Sequence, residues 1–184
     1  MSVPRFTIDT EFYERPNTIE LISIALVAED GREYYAESAL FDWRVCDPTG
    51  PFNPDETRTW LWENVRPSIG PWEKRKVPTQ IAEEVLDFIA GAFPKGASIT
   101  TPEFWGYYSD YDWVVFCWMF GRMIDLPKRF PMYCLDLKQV MHLNRLDKST
   151  LGVPHEGEHN CLNDARWNMK VLQLLTDEGY INHR

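Results

Sequence analysis

The sequence predicts an α/β fold built around a mixed sheet, and three features carry that expectation. The first 37 residues hold three β-type runs joined by turn signals. From about residue 78 onward, helical and strand-like segments alternate. A long amphipathic stretch then closes the chain. A meander of strands followed by alternating helices and strands packs its helices onto a sheet with both antiparallel and parallel neighbours.

The first strand is expected over 5–11, where Phe6 and Ile8 alternate with Thr7, Asp9 and Glu11. A second apolar run covers 18–27, and Asp30-Gly31 marks a tight hairpin into a third strand over 33–37. Between 44 and 78, the runs Asp47-Pro48-Thr49-Gly50-Pro51 and Ser68-Ile69-Gly70-Pro71 predict loop, interrupted by one short helix near 55–64. A helix over about 78–92 sets Ile81, Val85, Phe88 and Ile89 against an outward Glu83, Glu84 and Asp87. Residues 103–107 read as a short strand and 112–120 as a strongly apolar helix. The last strand is expected over 131–134, followed by helices over 136–143 and about 160–178. Without internal repeats or low-complexity tracts, the 184 residues are expected to form one domain over 1–184.

Composition narrows the class. Hydrophobic residues make up 44% of the chain and aromatics 14%, which excludes a disordered protein. The cysteines at 46, 117, 134 and 161 form no C-x-x-C pair, which points to reduced thiols rather than a disulfide framework or a zinc ribbon. No signal peptide and no stretch long enough to span a bilayer is visible, so a cytoplasmic protein without a membrane partner is expected. The net charge of −9 argues at first sight against nucleic acid. Between Arg122 and Lys148, however, six basic residues stand against three acidic ones. A basic wall beside an acidic, metal-loaded cleft suits a phosphate polymer, while an ordinary solvated face explains the same residues.

Several carboxylates stand where packing alone does not ask for them. Asp9 and Glu11 are two apart on a strand and so share a face, roughly 7 Å apart. Asp164 falls within the broad apolar arc of Leu162, Ala165, Met169, Val171, Leu172 and Leu175, where a carboxylate needs a partner and a cation is the usual one. Asp112 opens the helix after the fourth strand, where the helix dipole or an N-cap role also explains it. His159 lies where a loop enters the last helix, close enough to lean over whatever Asp164 binds.

The string His155-Glu156-Gly157-Glu158-His159 also spells H-E-x-x-H, the zinc-protease signature. That motif works only on a helix, where positions i and i+4 share a face. Here Pro154 precedes it and Gly157 sits at its centre, which weakens a helical turn by roughly 1 kcal/mol. A better helix start follows at Asn160, so 155–158 is expected to be a mobile loop.

Together these segments resemble the DEDDh branch of the DnaQ-like 3′–5′ exonucleases. Asp9-Thr10-Glu11 matches the first motif of that family, D-x-E, and Tyr111-Asp112 with Phe116 four on resembles the second. His159-Asn160-Cys161-Leu162-Asn163-Asp164-Ala165 matches the third, H-x-A-L-x-D-A, with Cys161 in place of the alanine. The runs 8–12, 18–24 and 27–36 are most similar to a polyadenylate-specific branch of exoribonucleases. The resemblance spans about 5–175. It departs from the family at Tyr107-Tyr108-Ser109, where an asparagine is usual. It implies a ribonuclease H-like fold with a five-stranded mixed sheet, a homodimer, and two Mg2+ or Mn2+ ions per site held by Asp9, Glu11, Asp112 and Asp164. It further implies His159 as general base and single-stranded RNA 3′ ends as substrate, with Thr10, Glu11, Phe12, Tyr108 and His159 as candidate substrate contacts. A DNA exonuclease or an oligoribonuclease would use the same site. A catalytically inactive nucleic-acid-binding module is the alternative from another class, although all five motif residues are present.

Overall fold

The computed structural model describes residues 3–93 and 101–182. The chain opens with an antiparallel meander of β1 (Arg5–Arg15), β2 (Thr18–Ala28) and β3 (Glu33–Glu37). Two short strands, β4 (Glu103–Gly106) and β5 (Leu135–Asp136), add in parallel on the other side of β1. The sheet order is therefore β3-β2-β1-β4-β5, five strands and mixed. The helices are α1 (Glu56–Asn64), α2 (Pro78–Ala90), α3 (Asp110–Phe120), α4 (Leu137–Leu143) and α5 (Cys161–Asp177).

Strand alternation sends β1 and β2 side chains to two cores, one on each face of the sheet. Phe6, Ile8, Ile24 and Leu26 pack with Ile81 and Val85 of α2 and with Trp113 and Phe116 of α3. On the other face, Ala25 and Val27 pack with Leu137 and Met141 of α4 and with Ala165 and Leu172 of α5. Each large apolar side chain so buried contributes roughly 1.5–3 kcal/mol of burial free energy, which anchors the helices that carry the polar site.

The segment expected to be mostly loop has a core of its own. Phe41, Trp43, Cys46, Leu61, Val65 and Ile69 bury themselves against Tyr13 and Ile22, at the far part of the β1–β2 hairpin. Short 3-10 turns at Trp43–Val45, Arg66–Ser68 and Trp72–Lys74 carry the chain around this cluster. Proline and glycine do break regular structure there, but the aromatic side chains between them still need burial.

Three boundaries differ from the sequence expectation. β1 continues past residue 11 to Arg15, because it stays paired with β2 around a two-residue turn in which Asn17 takes a φ of 64°. Its parallel neighbour β4 pairs only with Arg5, Phe6 and Thr7. Asp9 and Glu11 are therefore mid-strand, yet they lie beyond the end of β4, where an open α/β sheet leaves a crevice. Residues 131–134 are not a strand. The pairing falls later, on Leu135 with Trp105 and Asp136 with Gly106, since Pro131 has no N–H to give a ladder. Finally, α3 starts at Asp110 behind Ser109 and not at Asp112.

Gly106 joins β4 to that helix through a very close approach. A Cβ at this position would stand 2.6 Å from Ser109 Cβ and 3.2 Å from the Ile8 carbonyl oxygen. Ser109 cannot easily withdraw, because its N–H donates to Asp136 Oδ2 at 2.9 Å and that carboxylate also caps α4 by accepting from the Gln139 N–H at 3.0 Å. Gly106→Ala is expected to lower stability by about 1–3 kcal/mol in a urea titration. An unchanged midpoint would show that the turn yields freely.

Candidate active site

Alternation along β1 builds the site. Thr7, Asp9 and Glu11 face α5. The Thr7 hydroxyl donates to the Ala165 carbonyl at 2.7 Å and so draws the first turns of that helix onto the strand. Asn160 caps α5 by accepting from the Asn163 N–H at 3.2 Å, which leaves Asp164 in the first helical turn. Asp9, Glu11 and Asp164 thereby offer carboxylate oxygens that all lie within 4.8 Å of one another. One turn further along α5, the buried Asn168 hydrogen-bonds Asp9 and donates to the Ile8 carbonyl at 3.3 Å.

Thr10 faces the opposite way and reaches α3. Its N–H and its hydroxyl both donate to Asp112 Oδ1, at 2.7 and 2.6 Å. Asp112 is thus buried in the first turn of α3 and is not its N-cap. With that oxygen engaged by Thr10, Asp112 stands outside the tight group of three, although its charge still acts on them. Immediately after Glu11 the β1–β2 register slips: Glu11 pairs with Ser23 and Phe12 with Leu21, leaving Ile22 as an extra residue. Bulges of this kind re-aim side chains beside active sites.

Crowding makes these acids hard to ionise. Burial first, and then the charges of Asp112, Asp164 and Glu11, hold the Asp9 carboxyl well above the ordinary carboxylate range, against the hydrogen bond from Asn168. Glu11 is pushed from 4.5 to about 8, by burial and then by Asp164 and Asp112. Burial also raises Asp112 and Asp164, in each case against hydrogen bonds that favour the charged form. Hard oxygen donors, closely grouped and short of positive charge, are what Mg2+ or Mn2+ takes as ligands. The donor set fits such an ion.

The segment before α5 is not a zinc-binding helix but an irregular stretch. Residues 153–156 have no regular structure, Gly157 has a φ of 68° and His159 one of 67°. A Cβ on Gly157 would meet only the end of the Asn163 side chain, at 2.5 Å from Nδ2, so it is the positive φ that favours glycine here. The His159 N–H donates to Asp164 Oδ2 at 3.1 Å, and its ring lies edge-on to Trp60 of α1, with centroids 4.7 Å apart. His155, which has no part in the expected site, hydrogen-bonds Asp164 Oδ1 through Nε2 and lies flat on Trp167, 4.6 Å away with 12° between planes. Glu156 is exposed.

Around the rim, Phe12 packs against Tyr111 at 5.9 Å. Tyr108 takes a φ of 59°, is 64% exposed and has the Lys138 ammonium 5.8 Å above its ring. Lys148 stands 4.9 Å over Trp167. Trp105 and Trp113 are buried core residues. The sequence reading therefore missed Asn168, His155, Trp167 and Trp60, whereas Lys148 belongs to the basic run it set beside the cleft. Asn168 left a signal, being four residues after Asp164 inside an apolar arc. Trp60 left none, because only the third core carries α1 to the site.

A five-stranded mixed sheet covered by helices, with acids gathered beyond the ends of its parallel strands, is the ribonuclease H-like fold of DEDDh exonucleases. Solved structures share it. The nuclease domain of 3′hExo, a DEDDh family member bound to rAMP, matches with a TM-score of 0.62 and 11% identity, covering 100% of this chain and 96% of that one. Exonuclease I matches with a TM-score of 0.61 and 14% identity, over 94% of this chain and 40% of that one. At such identities the likeness establishes the fold. Residues 4–176 match the model of the 3′-5′ exoribonuclease Rv2179c-like domain. The chain is also 32% identical over 179 residues to the 3′-5′ exoribonuclease Rv2179c of Mycobacterium tuberculosis (strain ATCC 25618 / H37Rv), covering 94% of this chain and 93% of the relative. The chain belongs to this family of 3′–5′ exoribonucleases.

The raised acids set an expectation for the protein in EDTA. A carboxyl raised by folding holds its proton more tightly in the folded state, so its contribution is complete below the unfolded value and is lost as pH climbs through the folded one. For Glu11 that window runs from 4.5 to about 8. The melting temperature in EDTA is expected to fall across this window and to recover at its upper end when Mn2+ is added. A pH-independent melt would mean that the acids do not crowd one another.

Proposed function

We propose that the protein is a divalent-metal-dependent 3′–5′ exoribonuclease that releases nucleoside 5′-monophosphates, one at a time, from single-stranded RNA, with adenylate-rich 3′ ends preferred. The observation that carries this reading is the group of Asp9, Glu11 and Asp164 oxygens within 4.8 Å of one another, flanked by Asp112 and His159. These four carboxylates would hold two Mg2+ or Mn2+ ions. When bound, the ions supply Lewis-acid stabilisation to the attacking and leaving oxygens of the displacement.

The chain's own groups do the rest. His159 is the proton acceptor for the attacking water, since a neutral imidazole nitrogen is a general base that can take a proton from water. Its backbone N–H tie to Asp164 and its edge contact with Trp60 keep the ring at the mouth of the cleft. Thr10 holds Asp112 on the far side of β1. Phe12 and Glu11 flank the terminal nucleotide, and the exposed Tyr108 offers a ring on which a base stacks. Lys138 and Lys148 supply positive charge on the same rim, which offsets the chain's net charge where a phosphate backbone would pass. Adenylate preference rests on the resemblance of the runs 8–12, 18–24 and 27–36 to a polyadenylate-specific branch of exoribonucleases. An exposed Leu40 and Trp118 beside Pro78 and Met119 support a homodimer, and four unpaired cysteines support a cytoplasmic setting.

The test is a denaturing gel of 5′-labelled oligo(A) RNA incubated with Mg2+ or Mn2+. A ladder shortening from the 3′ end, absent in EDTA, is expected, with oligo(C), oligo(U) and oligo(dA) degraded more slowly. No shortening with either metal would refute the reading. Asp164→Ala should abolish turnover. His159→Ala should lower kcat by about 10²–10⁴-fold, and full activity in either variant would remove that residue from the site. Glu156→Ala should leave the rate essentially unchanged, and its loss would return attention to a zinc site.

A further inference from the structure

His155 is the second histidine of this site, and no part of the proposed chemistry uses it. Its ring is only 12% exposed, although its neighbours Pro154 and Glu156 are exposed. One face lies on Trp167, a residue of the same helix as Asp164 and three positions further along it. Trp167 is itself fixed: its indole N–H donates to the Val153 carbonyl at 3.1 Å, which ties the segment before His155 to α5. The Lys148 ammonium stands 4.9 Å over the Trp167 ring, and Lys148 also binds Glu158 Oε1 at 2.5 Å. That same oxygen lies 3.0 Å from His155 Nδ1 but out of line for a hydrogen bond, so Nδ1 keeps no aligned partner. The ring is therefore set by its stack on Trp167, and Nε2 is the atom that is aimed.

It is aimed at Asp164. The two oxygens of this carboxylate are taken separately, Oδ1 by His155 Nε2 and Oδ2 by the His159 N–H. Asp9 and Glu11 come from a strand, which fixes their direction, and Asn168 adds a bond to Asp9. Asp164 comes from the first turn of a helix, where a short side chain has several rotamers and like charges on Asp9 and Glu11 push it away. Something has to hold it inward.

We propose that His155 is a positioning residue for Asp164, clamped on Trp167 so that its Nε2 keeps the carboxylate turned toward Asp9 and Glu11 as a divalent-cation ligand. The proposal rests on the metal-binding reading given above. Outer-sphere partners of this kind, when removed, typically lower metal affinity by 10–100-fold.

The experiment is a calorimetric titration of Mn2+ into the full chain, as wild type, H155A, H155Q and E158A, with thermal melts in EDTA to verify folding. H155A is expected to bind Mn2+ about 10–100-fold more weakly than wild type. H155Q, which keeps a donor of similar reach, should recover part of the loss, and E158A should lose less than H155A because the Glu158 contact is out of line. The RNA-degrading rate of H155A should be restored by excess Mn2+, which a general packing defect would not allow. Wild-type affinity in H155A would overturn the proposal. Tighter binding would also overturn it, by making His155 a competitor for Asp164. If H155A does not fold, H155F, which keeps a ring on Trp167 but has no Nε2, takes its place, and wild-type affinity in it overturns the proposal. Failure of the wild-type protein to bind Mn2+ would instead refute the metal reading itself, and this proposal with it.

Discussion

Thr10 stands where the two faces of the sheet have to agree. Its N–H and hydroxyl draw Asp112 down from α3, while the residues on either side of it, Asp9 and Glu11, turn toward Asp164 on α5. Strand geometry makes this division unavoidable, since successive side chains point to opposite faces. The site is therefore not on one surface but straddles the middle of β1, at the level where β4 no longer covers it. Bringing four acids together here opposes folding, as the elevated Glu11 shows. The favourable terms are the two cores that β1 and β2 share with α2, α3, α4 and α5. The acids are held by packing they do not take part in.

Trp167 organises the other wall. It stacks on His155, anchors Val153, receives Lys148 and meets Tyr107 edge-on at 5.1 Å. A segment with two glycines, a proline and no regular structure is thereby held over the first turn of α5. Its backbone is contorted, with Gly152, Gly157 and His159 all at positive φ. For His159 this is a conformation that a side chain makes less favourable. Its N–H bond to Asp164 and its ring contact with Trp60 offset that. The same contortion removes the H-E-x-x-H spacing as a metal site, because the two histidines never share a helical face.

The parts of this protein that could be read in the chain are those governed by local period. The meander of β1, β2 and β3, the α2 helix and the α5 helix each bury one stripe or face, and alternation or a 3.6-residue repeat records it. The D-x-E pair on β1 and the Asp164 inside an apolar arc were legible for the same reason: a carboxylate on a buried face breaks the pattern. The strand expected over 131–134 failed because β5 has only Leu135 and Asp136, too few residues to show any period. The start of α3 was misplaced because Asp110 and Asp112 are equally good near a helix N-terminus, and Ser109 is chosen through its bond to Asp136, 27 residues away.

What the sequence determined by itself was the α/β class, the family motifs and the face of β1 on which Asp9 and Glu11 lie, because these follow from spacing along one element. Only the tertiary structure decided that Asp112 is tied to Thr10, that His155 and not only His159 attends Asp164, and that α1 supplies Trp60. Those contacts join residues 102, 9 and 99 positions apart or across an irregular bend. No periodicity reports which side chains a loop will bring face to face. That is decided by where Trp167 and the aromatic cluster around Phe41 and Trp43 find burial.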